Sequence, residues 1–220
     1  MVKPKNSFRF YVIISFFLAS VVFLSGFSIG FLINDFKQKD LSADLNSIKD
    51  SVEKNQVEIA LMNYLNDKIS CDYMNLRVSS INEKAYELGL KVGTYENNNG
   101  VLNEDYYALK RSYVNSLINN WINVNNAKDL CNLNYSTILY FYTYKEDCPK
   151  CTEQAVVLST IKDLYGLNAL IYSIDSTLDL DSVNILKYSY NITEYPSLVI
   201  NGKTFSGYVP FSDIKEMFEQ

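Results

Sequence analysis

The sequence predicts an α/β fold in its last stretch of about 85 residues, behind one apolar helix of membrane length and a helical segment. Three observations carry this reading. Phe10 to Ile33 is an uncharged apolar stretch. Apolar residues between Leu45 and Leu130 recur at helical spacing. From Ser136 onward, short apolar runs alternate with amphipathic ones in the order β-α-β-α-β-β-α. The chain of 220 residues thus divides into a tail over 1–9, a transmembrane helix over 10–33, a helical stalk or domain over 34–133 and an α/β domain over 134–220.

Phe10 to Ile33 spans about 36 Å as a helix at about 1.5 Å per residue, enough to cross a bilayer with some tilt. A cleavable signal peptide has a shorter apolar core and a small-residue cleavage site. No Ala-x-Ala follows here, and only Ala19 and the Ser25-Gly26 region favour cleavage, so the stretch reads as an uncleaved anchor. Lys3, Lys5, Arg9 and the amino terminus precede the span, while Lys37 and Lys39 follow it among acids. That asymmetry places the N-terminus in the cytoplasm and the C-terminal part outside.

Next, Leu45, Ile48, Val52, Ile59, Met62 and Ile69 fall on a three-four heptad spacing interrupted by Asn55 and Asn66. This reads as a stalk or hairpin helix whose seam offers a homodimer contact. A second helix is expected over Ile81 to Leu90, ended by the breaker Tyr95 to Gly100. A third runs from Asn103 to about Leu130, with Tyr106, Leu109, Tyr113, Leu117, Trp121 and Ile122 on one face. Such stripes are core or seam, and no chemistry is assigned to them.

The α/β elements follow in order. Thr137 to Tyr144 is an apolar run of strand type, and Gln154 to Leu164 has a helical pattern. Ala169 to Ile174 reads as a second strand, Asp181 to Tyr188 as a helix and Ser197 to Ile200 as a third strand. Asn201-Gly202 marks a hairpin turn into Thr204 to Tyr208, and Phe211 to Phe218 closes the chain as an amphipathic helix.

Between first strand and first helix stands Cys148-Pro149-Lys150-Cys151. Two thiols spaced i, i+3 on a first helical turn can reach each other, and the N-terminal amides with the positive dipole end stabilise a thiolate. Cys148 is therefore the candidate nucleophile and Cys151 the resolving thiol. A structural disulfide is the plainer reading of the same pair. Zinc fingers and ribbons pair such a motif with a second Cys pair or with His, and the chain has no His. The metal alternative is a site gathering all four thiolates, Cys71 and Cys131 included. A structural disulfide between Cys71 and Cys131 fits a compartment where thiols are not kept reduced, and two free buried cysteines are the alternative. The sequons Asn134-Tyr135-Ser136 and Asn191-Ile192-Thr193 also suit outside exposure.

With these residues in place, Ser136 to Gln220 resembles the thioredoxin-like superfamily, through the Cys-Pro-Lys-Cys at the first helix and Tyr195-Pro196 just before the third strand. The resemblance implies a central mixed sheet flanked by helices, a cis peptide at Pro196 with the proline facing the disulfide, and substrate binding at Tyr195 and Pro196. The pattern departs from thioredoxins at Tyr142, where they carry a buried carboxylate, and at Tyr144 to Asp147, which replaces their Trp-Gly surround. Lys145 and Lys150 favour a thiolate at Cys148 while Glu146 and Asp147 oppose it, leaving the helix terminus as the larger effect.

Net charge of -5 and the lack of a basic patch argue against a nucleic-acid partner. No metal or organic cofactor is implied. The layout is similar to membrane-anchored thioredoxin-like thiol:disulfide oxidoreductases, whose partners are protein thiols and disulfides. The expected function is such an oxidoreductase in the cell membrane, single-pass, acting on extracytoplasmic cysteines. The rival is a non-catalytic anchored module that binds proteins and keeps a permanent Cys148-Cys151 bridge.

Overall fold

The computed structural model describes residues 11–28, 30, 70–99, 104–144 and 147–218, with isolated positions between 43 and 65. The Leu45 to Ile69 seam residues, Lys145 and Glu146 lie outside the described residues. Two units result, Met1–Asp44 and Leu45–Gln220. In the first, helix α1 (Tyr11–Ser28) has a mean hydropathy of 2.1 and is long and apolar enough to cross a membrane. Its large side chains, Phe16, Phe23 and Phe27 among them, are exposed.

The second unit opens with two long helices, α2 (Cys71–Asn99) and α3 (Glu104–Cys131). Helix α2 starts at Cys71, ten residues before the expected start at Ile81. Ser70 explains this, because its Oγ accepts the backbone N–H of Asp72 at 3.2 Å, and Asp72 complements the helix dipole. The helix also runs through the expected breaker to Asn99. Asn lowers helix propensity by well under 1 kcal/mol, and neither Pro nor Gly intervenes between Gly93 and Gly100.

Met74, Val78, Ile81 and Val92 form the buried stripe of α2, facing Leu109, Val114, Leu117, Val124 and Ala127 of α3. Trp121 packs edge-on against Tyr190 with ring centroids 6.2 Å apart, whereas Ile122 is turned out and is 41% exposed. Gly89 leaves room for the Tyr113 ring of α3, whose hydroxyl would lie 2.5 Å from a Cβ there. Cys71, the first residue of α2, is bridged to Cys131, the last of α3, with Cα atoms 5.5 Å apart.

A four-stranded mixed sheet follows in the order β2-β1-β3-β4. Its strands are β1 (Ser136–Tyr142), β2 (Ala169–Asp175), β3 (Ser197–Ile200) and β4 (Lys203–Ser206). Strand β1 pairs parallel with β2 (Tyr142 opposite Asp175) and antiparallel with β3 (Phe141 opposite Ser197). The β3-β4 hairpin turns at Asn201 (φ 47°) and Gly202 (φ 84°), the two positive φ values of a type I′ turn.

Both faces of β1 are covered, which is why it reads as a continuous apolar run. On one face, Leu139, Phe141, Leu170, Tyr172 and Val199 share a core with Met74, Val78, Val114 and Leu117 of the helical pair. Val183 and Leu186 of α5 (Asp181–Ser189) join them. On the other face, Ile138, Tyr140, Leu198 and Ile200 pack against Leu158 and Ile161 of α4 (Pro149–Tyr165) and Ile214 of α6 (Phe211–Phe218). The helices of 71–131 and the sheet thus share one hydrophobic core. Polar latches reinforce the join, including Tyr172 Oη to Asn82 Oδ1 at 2.9 Å and Ser182 Oγ to Asn115 Oδ1 at 2.7 Å.

The Cys71-Cys131 bridge closes a sequence separation of 60 residues. In the chain-entropy account a loop of that size stabilises by about 4 kcal/mol. Replacing both residues with Ser is expected to lower the melting temperature by about 10 °C, read by circular dichroism, while the Cys148-Cys151 bridge still forms. An unchanged melting temperature would show that the packed core alone holds the helical pair to the sheet.

Candidate active site

Strand β1 ends at Tyr142, and a tight turn brings the chain back to α4 with the N–H groups of Asp147 and Cys148 both donating to Tyr144 O at 3.0 Å. Cys148 is the N-cap of α4 and Pro149 its first residue. Proline suits that position because its missing N–H belongs to the turn whose donors have no partner inside the helix. Cys151 follows one turn on, with its N–H on Cys148 O at 3.0 Å, and the two sulfurs are joined in a disulfide with Cα atoms 5.3 Å apart. Cys148 is only 2% exposed and Cys151 4%.

The surroundings fix this turn from below. Tyr140, buried in β1, donates its hydroxyl to Cys151 O at 2.6 Å, and burial pushes its phenol up to about 12, so the donor keeps its proton throughout the physiological range. Tyr142 stacks on Tyr140 at 5.5 Å. One helical turn past Cys151, Gln154 is fully buried and makes a reciprocal pair with Val209: Nε2 donates to Val209 O at 3.2 Å and Oε1 accepts Val209 N–H at 2.7 Å. This pins the segment before α6 against the first turns of α4. Lys150 is held at the surface, its ammonium 2.7 Å from Glu153 and 5.5 Å from the Tyr208 ring, and the Glu153 hydrogen bond raises its pKa.

Tyr195-Pro196 is a cis peptide. Extending the β1-β3 register by one residue sets Pro196 beside Tyr142, at the end of the sheet from which the chain runs to Cys148. Pro196 is buried. Strand alternation puts it on the face of Leu198 and α4, whereas Tyr195 packs with the opposite core and has Lys187 Nζ 6.0 Å from its ring. Pro196 thus stands at the sheet end from which the chain runs on to Cys148, on the face that α4 covers, with the Tyr195 ring behind the sheet. Cys71 and Cys131 form their own bridge elsewhere, at the ends of α2 and α3.

A parallel strand pair, a crossover through a helix that opens on Cys-Pro-Lys-Cys, and an antiparallel hairpin closed by a last helix make up this topology. The C-terminal part of the chain has a thioredoxin-like fold. No protein family and no curated protein matches the sequence. Solved structures similar to it include thioredoxin-2 of a malaria parasite, described as a component of its protein secretion machinery, at 18% identity over 39% of this chain and 82% of that one, with a TM-score of 0.34. Chloroplastic thioredoxin z is 20% identical over 44% of this chain and 87% of its own, TM-score 0.35. The germline-specific thioredoxin Deadhead of Drosophila melanogaster is 20% identical over 46% and 91%, TM-score 0.35.

One feature next to the site was not read from the sequence. Lys110 of α3 and Asp175 at the end of β2 form an ion pair of 2.6 Å, with side chains 4% and 2% exposed. Asp175 Oδ1 also accepts the N–H and hydroxyl of Thr177 at 2.9 and 2.6 Å, and Lys110 Nζ lies 5.8 Å from the Tyr106 ring and 5.9 Å from the Tyr144 ring. The only sequence signal was a lysine directly after Leu109 on the apolar face of α3. Removing one partner leaves a buried charge, so Lys110→Met is expected to cost about 3–5 kcal/mol in urea unfolding. Adding Asp175→Asn, which keeps an acceptor for Thr177, is expected to recover part of that loss. Equal stability of Lys110→Met and the parent would contradict the pair's structural role.

Proposed function

We propose that this protein is a thiol:disulfide oxidoreductase, anchored by α1 in the cell membrane with residues 34–220 outside the cytoplasm and acting on protein cysteines. The observation that carries the reading is the Cys148-Cys151 disulfide at the first turn of α4, at the sheet end where Pro196 stands. In the reduced form, the Cys148 thiolate attacks one sulfur of a partner disulfide, forming a mixed disulfide and releasing a partner thiolate. The Cys151 thiolate then attacks Cys148 Sγ, restoring the protein's own bridge and releasing the second partner thiol. Two electrons pass to the partner; the reverse sequence oxidises it. Pro196 offers no N–H, so a sulfur approaching there meets an apolar ring while the backbone of Tyr195 remains free to pair with an extended partner.

The burial of both cysteines favours a second reading, in which the bridge is permanent and the domain binds proteins without exchanging disulfides. A redox titration of the full chain in detergent, with alkylated peptides resolved by mass, separates the two. An exchanging bridge is expected above about -300 mV and a permanent one below it. In the reduced protein, iodoacetamide at neutral pH is expected to label Cys148 before Cys151, and Cys151→Ser to accumulate mixed disulfides. Equal labelling with no trapped partner would favour the binding module.

The anchor has its own test. The protein is expected to stay in the membrane pellet after carbonate extraction, and protease added to intact spheroplasts is expected to digest the Cys148-bearing part. Release by carbonate, or protection from external protease, would remove the membrane or the orientation respectively.

A further inference from the structure

A cleft of about 680 Å³ lies between the helical pair and α4, bordered by Tyr86, Gly89, Tyr113, Ala155, Ile171 and Ser173. Its floor is the free edge of β2, the outermost strand of the sheet. Which backbone groups face the cleft follows from the ladder. Ser176 N–H donates to Tyr142 O at 2.9 Å, so even-numbered residues of β2 turn their N–H and C=O toward β1 and odd-numbered residues turn theirs outward. Ala169 obeys this, its carbonyl taking Lys162 Nζ at 3.0 Å. Ile171 and Ser173 are the next two outward residues, and among the described residues their N–H and C=O groups have no hydrogen-bond partner.

Four unpaired ladder groups at the bottom of an apolar cleft make a template for another strand. We propose that this cleft binds an extended, apolar polypeptide segment, which adds to the edge of β2 and sets alternate side chains against α4 and against the helical pair. The occupant is a peptide rather than an acyl chain because only a backbone answers two donors and two acceptors spaced i, i+2. Most of the lining is neutral or apolar: Lys110 is committed to Asp175 and Lys162 to Gly166 O and Ala169 O, and the exposed Asp163 is the remaining charge, next to Lys162 on α4. From Ala155 to Lys162 the cleft follows α4 for about 10 Å, room for about three to four extended residues. One end lies a turn beyond Cys151 and beside Tyr142. This site lies on the β2 side of β1, away from Pro196 on the β3 side, and it does not depend on disulfide exchange.

The test uses full-length oxidised protein in detergent and a fluorescein-labelled hexapeptide of alternating Val and Ser, without cysteine, followed by anisotropy. The expected result is saturable binding that weakens about tenfold or more when alternate peptide nitrogens are methylated, the effect of losing one or two net hydrogen bonds. Ser173→Pro removes an outward N–H without touching the β1 ladder and is expected to weaken binding similarly, whereas Ser173→Ala is not. Ala155→Trp, at an exposed position on α4, fills the cleft and gives the same loss should Ser173→Pro fail to fold. Equal affinity for the methylated peptide, displacement by dodecanoate without any methylation effect, or self-association that Ala155→Trp abolishes while no peptide binds would each overturn the proposal. Because the bridge stays closed and the probe has no thiol, peptide binding can fail while the redox reading stands, and the reverse.

Discussion

Everything at the candidate site hangs on the double pairing of β1. A strand buried on both faces must find partners for every N–H and C=O, and β1 does so with β2 on one side and β3 on the other. Those two registers then fix the rest. The end of β1 delivers the chain to Cys148, the β3 register brings Pro196 to the same end, and the β2 register sets Asp175 beside Tyr142. A slip of one residue in either ladder would exchange the two faces of a strand, and in the β3 ladder it would move Pro196 away from Tyr142.

Around this strand the protein uses a few polar contacts that join one element to another. Gln154 ties α4 to Val209, Tyr140 ties β1 to Cys151 O, and Asn201 accepts from both Thr137 N–H and Lys128 at 3.0 Å. The Gln154 and Tyr140 contacts satisfy groups that would otherwise be buried without a partner, so they are also specific in geometry. The Lys110-Asp175 pair extends the same logic to α3, and with the Cys71-Cys131 bridge it makes the helical pair part of the sheet's own core rather than a spacer.

That integration has a consequence for the edge of the sheet. An exposed edge strand invites pairing with another chain, and proteins usually blunt it. Here α2, α3 and α4 stand on either side of β2, leaving its outward groups at the bottom of a cleft of limited length. Pro196, on the β3 side, and the cleft along β2 therefore lie on opposite sides of β1.

Local signals were enough to determine much of this chain. Continuous apolar runs marked β1 and β3, Asn201-Gly202 marked the hairpin, and the Cys-Pro-Lys-Cys spacing marked the start of α4, because each depends only on near neighbours and on period. The uncharged length of α1 was equally plain. What the sequence could not determine are pairings between distant positions. A lone Lys110 and a strand-end Asp175 look like surface charges until tertiary packing puts them 2.6 Å apart, and Gln154 looks like a solvent residue until Val209 meets it. The start of α2 at Cys71 depended on the Ser70 cap, and the exposure of Ile122 on which side of α3 met the sheet. Most telling, Cys148 is only 2% exposed at the helix end, a degree of burial that no spacing of two cysteines encodes.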